Sequence, residues 1–437
     1  MNNRRVKRSS SQTETHQPNV NHAIPFAAFA RNLWLLQNAM MPSETQIQPA
    51  TGNNSSRTLI FYLLCLGFVL NGIIISFIGQ LIPVFMGKWN LDYSRAGRFL
   101  LVQFLASFVG VLISSALISA RGFKPAIVIG LGLLGIGFAL LNAPTFPLAL
   151  LASGIYGLGY GFATPGTNLW VSESYGERRA SALNVSNLAW GIGALASAPL
   201  AKWAIEKSSV TQLLYVVGSS CAILAIYFFT MKFGKPHQEE NSSQVSALQG
   251  SAGNGVAVLL GTLFFVYVGT EVGTSSWSPA HAQSAASWSS NNWTLTPMFF
   301  FAGLLGGRGA SAAILLHLKE ATVAVSGILI AAAGELIFIT AHSPATLFAG
   351  AFFAGLGFSS LYPIFVAWLT KWFGTRSRKV GGVMFAMAAL GSASMPWIVG
   401  VVSRHANNSL RIGLLVPLAG CAIMLTTVAL LRPSRRG

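Results

Sequence analysis

The sequence predicts an all-α membrane protein: twelve transmembrane helices in two pseudo-symmetric six-helix halves. Three observations carry this. Hydrophobic residues are 53% of the 437 and charged residues only 9%, against about 25% charged in soluble domains. Twelve apolar runs, each close to the ~20 residues that cross a bilayer, lie between residues 58 and 431. One stretch also occurs twice. Gly157-Leu158-Gly159, Pro165, Trp170, Gly176, Arg178, Val185 and Gly193 return 198 residues later as Gly355-Leu356-Gly357, Pro363, Trp368, Gly374, Arg376, Val383 and Gly391, so 9 of 37 positions agree without a gap. In a membrane protein, a repeat at nearly half the chain length points to two halves that move against each other around a shared site.

Residues 1–57 read as a polar cytoplasmic tail. It starts on Arg4, Arg5, Lys7 and Arg8, without the apolar core and cleavage site of a secretory signal. A transit peptide is weakened by Glu14 and the polar run after it. Ile24 to Met41 is mostly apolar but carries Arg31, Asn32, Gln37 and Asn38. It fits an amphipathic helix on the membrane surface; equally, translation could begin at Met40 or Met41.

The first half covers 58–231, with spans near 59–82, 96–119, 124–142, 147–171, 180–203 and 211–231. Lipid cannot satisfy loose backbone groups, so each span is expected to be a helix. Gly130, Gly132, Gly135 and Gly137 crowd span 3, and Gly154, Gly157, Gly159 and Gly161 crowd span 4. Small residues let helices approach closely. A polar, Gly- and Ser-rich cytoplasmic linker follows at 232–255. The second half covers 256–431, with spans near 256–279, 293–316, 321–341, 345–370, 379–402 and 411–431, and 432–437 is a second cytoplasmic tail.

The net charge of +17 invites a nucleic-acid reading, but its placement argues against that partner. Of 28 Lys and Arg, 20 fall in the tails and the even-numbered connections. Seven fall on the other side: Lys88, Arg95, Arg98, Lys202, Lys207, Arg404 and Arg411; Arg308 lies within span 8. The positive-inside rule then puts both termini in the cytoplasm of a cell membrane protein. Cys65, Cys221 and Cys421 lie inside apolar spans without metal spacing or a disulfide framework. No metal and no cofactor is expected, and no Walker A loop or intramembrane His-Glu-x-x-His motif points to an ATPase or a membrane enzyme.

Polar side chains within the spans are costly unless they meet a cavity or a partner. Glu271, inside span 7, must be paired, hydrated or protonated, and it shares a helix face with Tyr267 and Ser275. It is the candidate for coupling to a proton or cation. Span 4 carries the stripe Tyr160, Thr164, Asn168; span 5 carries Asn184 and Asn187 with Trp190 nearby. Asn71 and Gln80 in span 1 are about half a turn out of phase, so at most one faces a given cavity. Gln103 in span 2 and Tyr362 in span 10 complete the set. Such amides, hydroxyls and aromatic faces suit a neutral polyol such as a sugar, and they also glue helices together. Trp170, Trp368 and Trp372 fall near helix ends, where indoles favour the interface.

Twelve spans in a 6+6 plan with a central polar linker resemble the major facilitator superfamily over about residues 58–431. The loop Ser119-Ala120-Arg121-Gly122-Phe123-Lys124 resembles that family's Gly-x-x-x-Asp-Arg-x-Gly-Arg/Lys pattern, with Ser119 at the acidic position. Gly307-Arg308-Gly309 through Lys319 resembles the second-half copy, which would put Arg308 near the cytoplasmic end of its helix, able to reach helix C-termini or another span's carboxylate. Arg121, Gly122, Lys124, Arg178, Arg308 and Arg376 are therefore expected to act in structure or gating. Tyr267-Val268-Gly269-Thr270-Glu271 and Arg178 to Asn184 are similar to signatures of the fucose-permease-like sugar branch. Its coupling acids are absent here: span 1 has no Asp or Glu, and Thr164 stands in span 4. In the resembled fold span 9 is peripheral to the cavity, so a structural role is expected for Glu335.

The resemblance implies a monomeric secondary transporter in the lipid bilayer, moving a small polar solute, a sugar or polyol first, by alternating access. An exporter of lipophilic compounds is the main rival, permitted by 29 Phe and 11 Trp; a polytopic enzyme or receptor is a more distant one. The repeat is not chemically even, because Thr164, Asn168, Asn184 and Asn187 become Tyr362, Val366, Gly382 and Phe385.

Overall fold

The computed structural model describes residues 54–231, 233 and 253–431. The 1–57 tail lies outside the described residues as far as residue 53, together with Ile24–Met41 and the alternative start. So do the 432–437 tail and nearly all of the 232–255 linker.

The described residues form helices and turns, with no strand among them. The first half comprises α1 (Asn54–Trp89), α2 (Tyr93–Arg121), α3 (Phe123–Ala139), α4 (Phe146–Tyr175), α5 (Arg179–Glu206) and α6 (Val210–Thr230). The second comprises α7 (Asn254–Ala285), α8 (Thr296–Ile314), α9 (Glu320–Thr340), α10 (Pro344–Phe358), α11 (Leu361–Phe373), α12 (Ser377–His405), α13 (Leu410–Gly413) and α14 (Leu415–Leu431). Among the described residues, 11 segments are long and apolar enough to cross a bilayer. The predicted span outside that set is α8, whose hydropathy Arg308 lowers.

Two predicted spans are broken, and proline explains both. Span 10 divides into α10 and α11, because Pro363 has no N–H to return to Ser359 and its ring crowds that carbonyl. Span 12 divides at Leu414, where Pro417 does the same to Gly413.

The repeated residues do the same work in each half. A Cβ on Gly157 would lie 2.8 Å from the Gln103 carbonyl carbon on α2, and one on Gly355 would lie 2.8 Å from that of Phe300 on α8. Gly193 meets Val69 on α1 as Gly391 meets Phe265 on α7, again at 2.8 Å. Gly176 and Gly374 open equivalent 3-10 turns, Gly176–Arg178 and Gly374–Arg376, with φ of +45° and +48°. That left-handed region strains any residue with a Cβ. The helix pairs correspond as well: α1–α5 with α7–α12, α2–α4 with α8–α10, and α3–α6 with α9–α14.

Between the halves, α2 lies along α12, α1 meets α7 and α5 meets α8. The contact is closest at the end carrying the α1–α2 turn. There Gly97 lets the Trp397 backbone approach to 3.3 Å of where its Cβ would stand. Trp277 donates to the Pro396 carbonyl (2.7 Å) and stacks edge-on with Tyr93 across the seam (5.7 Å). Asp92 caps α2 by accepting from the Arg95 N–H (2.7 Å) and pairs with Arg404 (3.4 Å). Toward the other end the seam loosens: Asn184, Asn187, Val383 and Phe385 are exposed, and a Cβ on Gly306, Gly309 or Gly382 would meet nothing within 4 Å.

Candidate functional site

Halfway along this seam, polar and aromatic side chains from both halves converge. On the first half, the Asn71 amide of α1 donates to the Thr164 hydroxyl of α4 (3.4 Å). Tyr160 stands one turn earlier on the same face of α4. Trp190 of α5 meets Phe301 of α8 edge-on across the seam (6.0 Å). On the second half, the Tyr267 hydroxyl donates to Glu271 Oε2, one turn further along α7. Tyr362 of α11 lies against Tyr267 (6.1 Å) and Phe264 (5.8 Å).

Electrostatics joins these groups across the seam. The Glu271 charge reaches Tyr160 and Tyr362, and Arg308 acts on Glu271, Tyr267 and Tyr362. Direct contact is missing, however. Among the described residues the ion pairs are Lys202–Glu206 and Asp92–Arg404, and neither involves Arg308. Four buried polar atoms here have no hydrogen-bond partner: Asn71 Oδ1, Asn168 Oδ1, Trp190 Nε1 and Arg308 Nε. Other buried polar atoms without a partner among the described residues are on Ser76, Gln103, Thr270 and His281. What marks the seam is that four such atoms lie on residues of both halves there, where water or a ligand would satisfy them.

Several expected residues fall elsewhere. Gln103 is fully buried between α2 and α4, where its Oε1 accepts from the Tyr156 hydroxyl (2.5 Å). Gln80 is equally buried and meets Ser197 of α5 (3.1 Å). Both work as joints between helices. Asn184 and Asn187 are exposed toward the loose end of α5. Ser275 bonds the Val272 carbonyl of its own helix (3.3 Å).

Arg308 stands in α8, the seventh residue from its end at Ile314, and the carboxylate in its electrostatic range is Glu271 of α7. The sequence placed it within span 8 and within reach of another span's carboxylate without saying which one. The signal for its place at the seam was a lone charge in an apolar run, which marks a functional position by default. Trp170 and Trp368 are not interfacial anchors: they are 3% and 5% exposed. Trp170 packs on Phe233 (5.9 Å), while Trp368 donates to Glu320 (2.9 Å) and stacks on Trp372 (5.3 Å).

The remaining gating candidates sit at turns. Gly122 has φ +80°, Lys124 donates to the Met231 carbonyl closing α6 (2.8 Å), and Arg121, Arg178 and Arg376 are exposed. Glu335, 1% exposed, accepts from Thr274 of α7 (2.5 Å) and faces the Cys421 thiol of α14 (3.9 Å). The gap beside it, lined by Thr274, Phe338 and Pro417, is too tight for a water molecule. All three cysteines are free.

Two helical halves around one polar seam define the architecture of a secondary transporter. The chain belongs to the Major Facilitator Superfamily, whose family model matches residues 64–321. It is 23% identical over 301 residues to the uncharacterized transporter y4wD of Sinorhizobium fredii, covering 68% of this chain and 79% of that one. Among solved structures it is similar in fold to a bacterial homolog of the human lysosomal transporter Spinster, inward-facing and occupied. That match has a TM-score of 0.69 and 15% identity, over 86% of this chain and 96% of that one. The E. coli fucose:proton symporter FucP matches with a TM-score of 0.57 and 20% identity, over 87% and 100% of the two chains. The protein is thus a multi-pass membrane transporter, and its function is transport rather than catalysis.

Proposed function

We propose that this transporter moves a small polar solute, a sugar or polyol in first place, by alternating access at the seam between its halves. The observation that carries this reading is the set of orphan polar atoms on Asn71, Asn168, Trp190 and Arg308, beside Tyr160, Tyr267, Glu271 and Tyr362. Hydroxyl-rich solutes offer donors and acceptors to such atoms and a flat face to the aromatic rings. The solved fucose:proton symporter, similar in fold, makes a sugar reasonable.

In this reading residues 58–231 and 256–431 are the moving halves, joined by the 232–255 linker. The chain works as a monomer in the cell membrane with its 1–57 and 432–437 tails in the cytoplasm. The sealed end, with Asp92 and Arg404, then faces outward and the loose end inward. Glu271 is the coupling group for a proton or cation. Solute binding shifts the balance between the two states through its different affinity for each.

The aromatic rings against Tyr267 (Phe358 and Phe365) and against Tyr362 (Phe264) favour a second reading as an exporter of lipophilic compounds. A thermal-shift screen of the purified protein against sugars, organic acids and drugs separates the two, because a true ligand stabilises the folded state. Glu271→Gln is expected to reduce uptake or abolish its pH dependence. Unchanged transport with an unchanged pH response removes Glu271 from the mechanism.

A further inference from the structure

We infer that the transported solute carries a carboxylate held by Arg308, making it a polyhydroxylated acid rather than a neutral polyol. This rests on the reading of the seam as the transport site. Arg308 is seventh from the end of α8, deeper in its helix than the other Lys and Arg among the described residues. It makes no direct ion pair, and its buried Nε has no hydrogen-bond partner. The Glu271 carboxylate, which accepts from Tyr267, is not within ion-pair distance of Arg308. The guanidinium fork is therefore open to another anion.

A planar fork matches a carboxylate with two parallel N–H donors. Arg308 is half-buried with its Nε enclosed, and a cation only partly solvated gains more from an arriving carboxylate than from a hydroxyl. Three further orphans at the seam, Asn71 Oδ1, Asn168 Oδ1 and the Trp190 N–H, suit hydroxyls on the rest of the solute.

Charge counting adds a condition. One cation would face two anions, the solute and Glu271. The groups acting on Glu271 are Tyr267 of its own helix and Arg308 of α8, and Glu271 acts in turn on Tyr160 of α4 and Tyr362 of α11. None of these tyrosines offers a second cation, so the acid binds best when a proton accompanies it onto Glu271.

The test is calorimetric binding of glucose, gluconate and glucuronate to the purified protein at neutral and mildly acidic pH. The acids should bind about tenfold or more tightly than glucose, as one charge-assisted pair implies. Arg308→Gln should level acids and sugar, and Arg308→Lys, which keeps the charge without the fork, should fall between. Glu271→Gln should bind the acids at least as tightly as the wild type at neutral pH. Unfolding temperatures show which variants are folded, and the wild-type comparison decides even if Arg308→Gln is not. Glucose binding as tightly as the acids overturns this inference while leaving the polar-solute transporter standing. If none of the three binds and proteoliposomes take up none of them, both readings fall.

Discussion

A polar side chain in a membrane helix either joins two helices or faces a space. Tyr156 and Tyr160, one turn apart on α4, take opposite roles. Tyr156 is fully buried and donates to Gln103, whereas Tyr160 turns toward Glu271 and Tyr362 in the other half. Tyr156→Phe removes the donor to a buried amide oxygen, which costs roughly 1–3 kcal/mol. It should lower the unfolding temperature in detergent while the fraction that still folds transports normally. Tyr160→Phe should do the reverse, weakening uptake with little change in unfolding temperature. Equal effects of the two on both measurements would deny the distinction. Sequence spacing singled out Tyr160 as part of the stripe with Thr164 and Asn168. It could not separate Gln103 from Asn71, because both are single amides in apolar spans and only packing says what each meets.

At the scale of helices, glycines set how closely neighbours run. Gly157 and Gly355 press on the backbones of α2 and α8 with the same 2.8 Å clearance from a carbonyl carbon, so neither neighbour can yield by rotating a side chain. Alanine at either position should destabilise by about 1–3 kcal/mol, the usual cost of overpacking. Alanine at Gly306, where a Cβ would meet nothing within 4 Å, should be nearly silent. Thermal unfolding of the three variants checks this, and a silent Gly157→Ala would refute the close approach. Eleven of the twelve predicted spans were legible from hydropathy because lipid demands long apolar helices, and α8 with its Arg308 falls outside that set. The break between α10 and α11 was less so: Pro363 has a counterpart in Pro165, yet α4 runs unbroken from Phe146 to Tyr175. The same proline kinks or breaks a helix according to how its neighbours re-satisfy the freed carbonyl. Ser359 and Ser360 stand where α4 has Gly161 and Phe162.

At the scale of the whole molecule, the two halves are held together at one end by Asp92–Arg404, Tyr93–Trp277 and the α2–α12 contact. Asp92 also caps α2, and asparagine is as good a cap as aspartate. Asp92→Asn therefore keeps the helix and removes the ion pair. An exposed pair contributes only about 0–1 kcal/mol, yet that is enough to shift a balanced two-state equilibrium severalfold. Spin labels at positions 98 and 412 should report a larger population of long distances in Asp92→Asn, and in Arg404→Gln, which removes the pair without touching the cap. An unchanged distribution in Asp92→Asn would show that the helix contacts alone hold this end. Asp92 and Arg404 are 312 residues apart and sit in unremarkable turns, so no local pattern pairs them.

The sequence by itself determined the membrane class, the spans and the duplication, since these follow from hydropathy, charge placement and identity at a fixed offset. It also picked out Glu271, because a carboxylate in an apolar run stands out whatever surrounds it. Tertiary structure alone decided which polar residues meet. It gave Gln103 to Tyr156 and Glu335 to Thr274, and buried Trp170 and Trp368. The physical reason is that hydropathy reports what a residue costs in lipid, while the partner that offsets the cost comes from another helix, and only the packing of the helices chooses it.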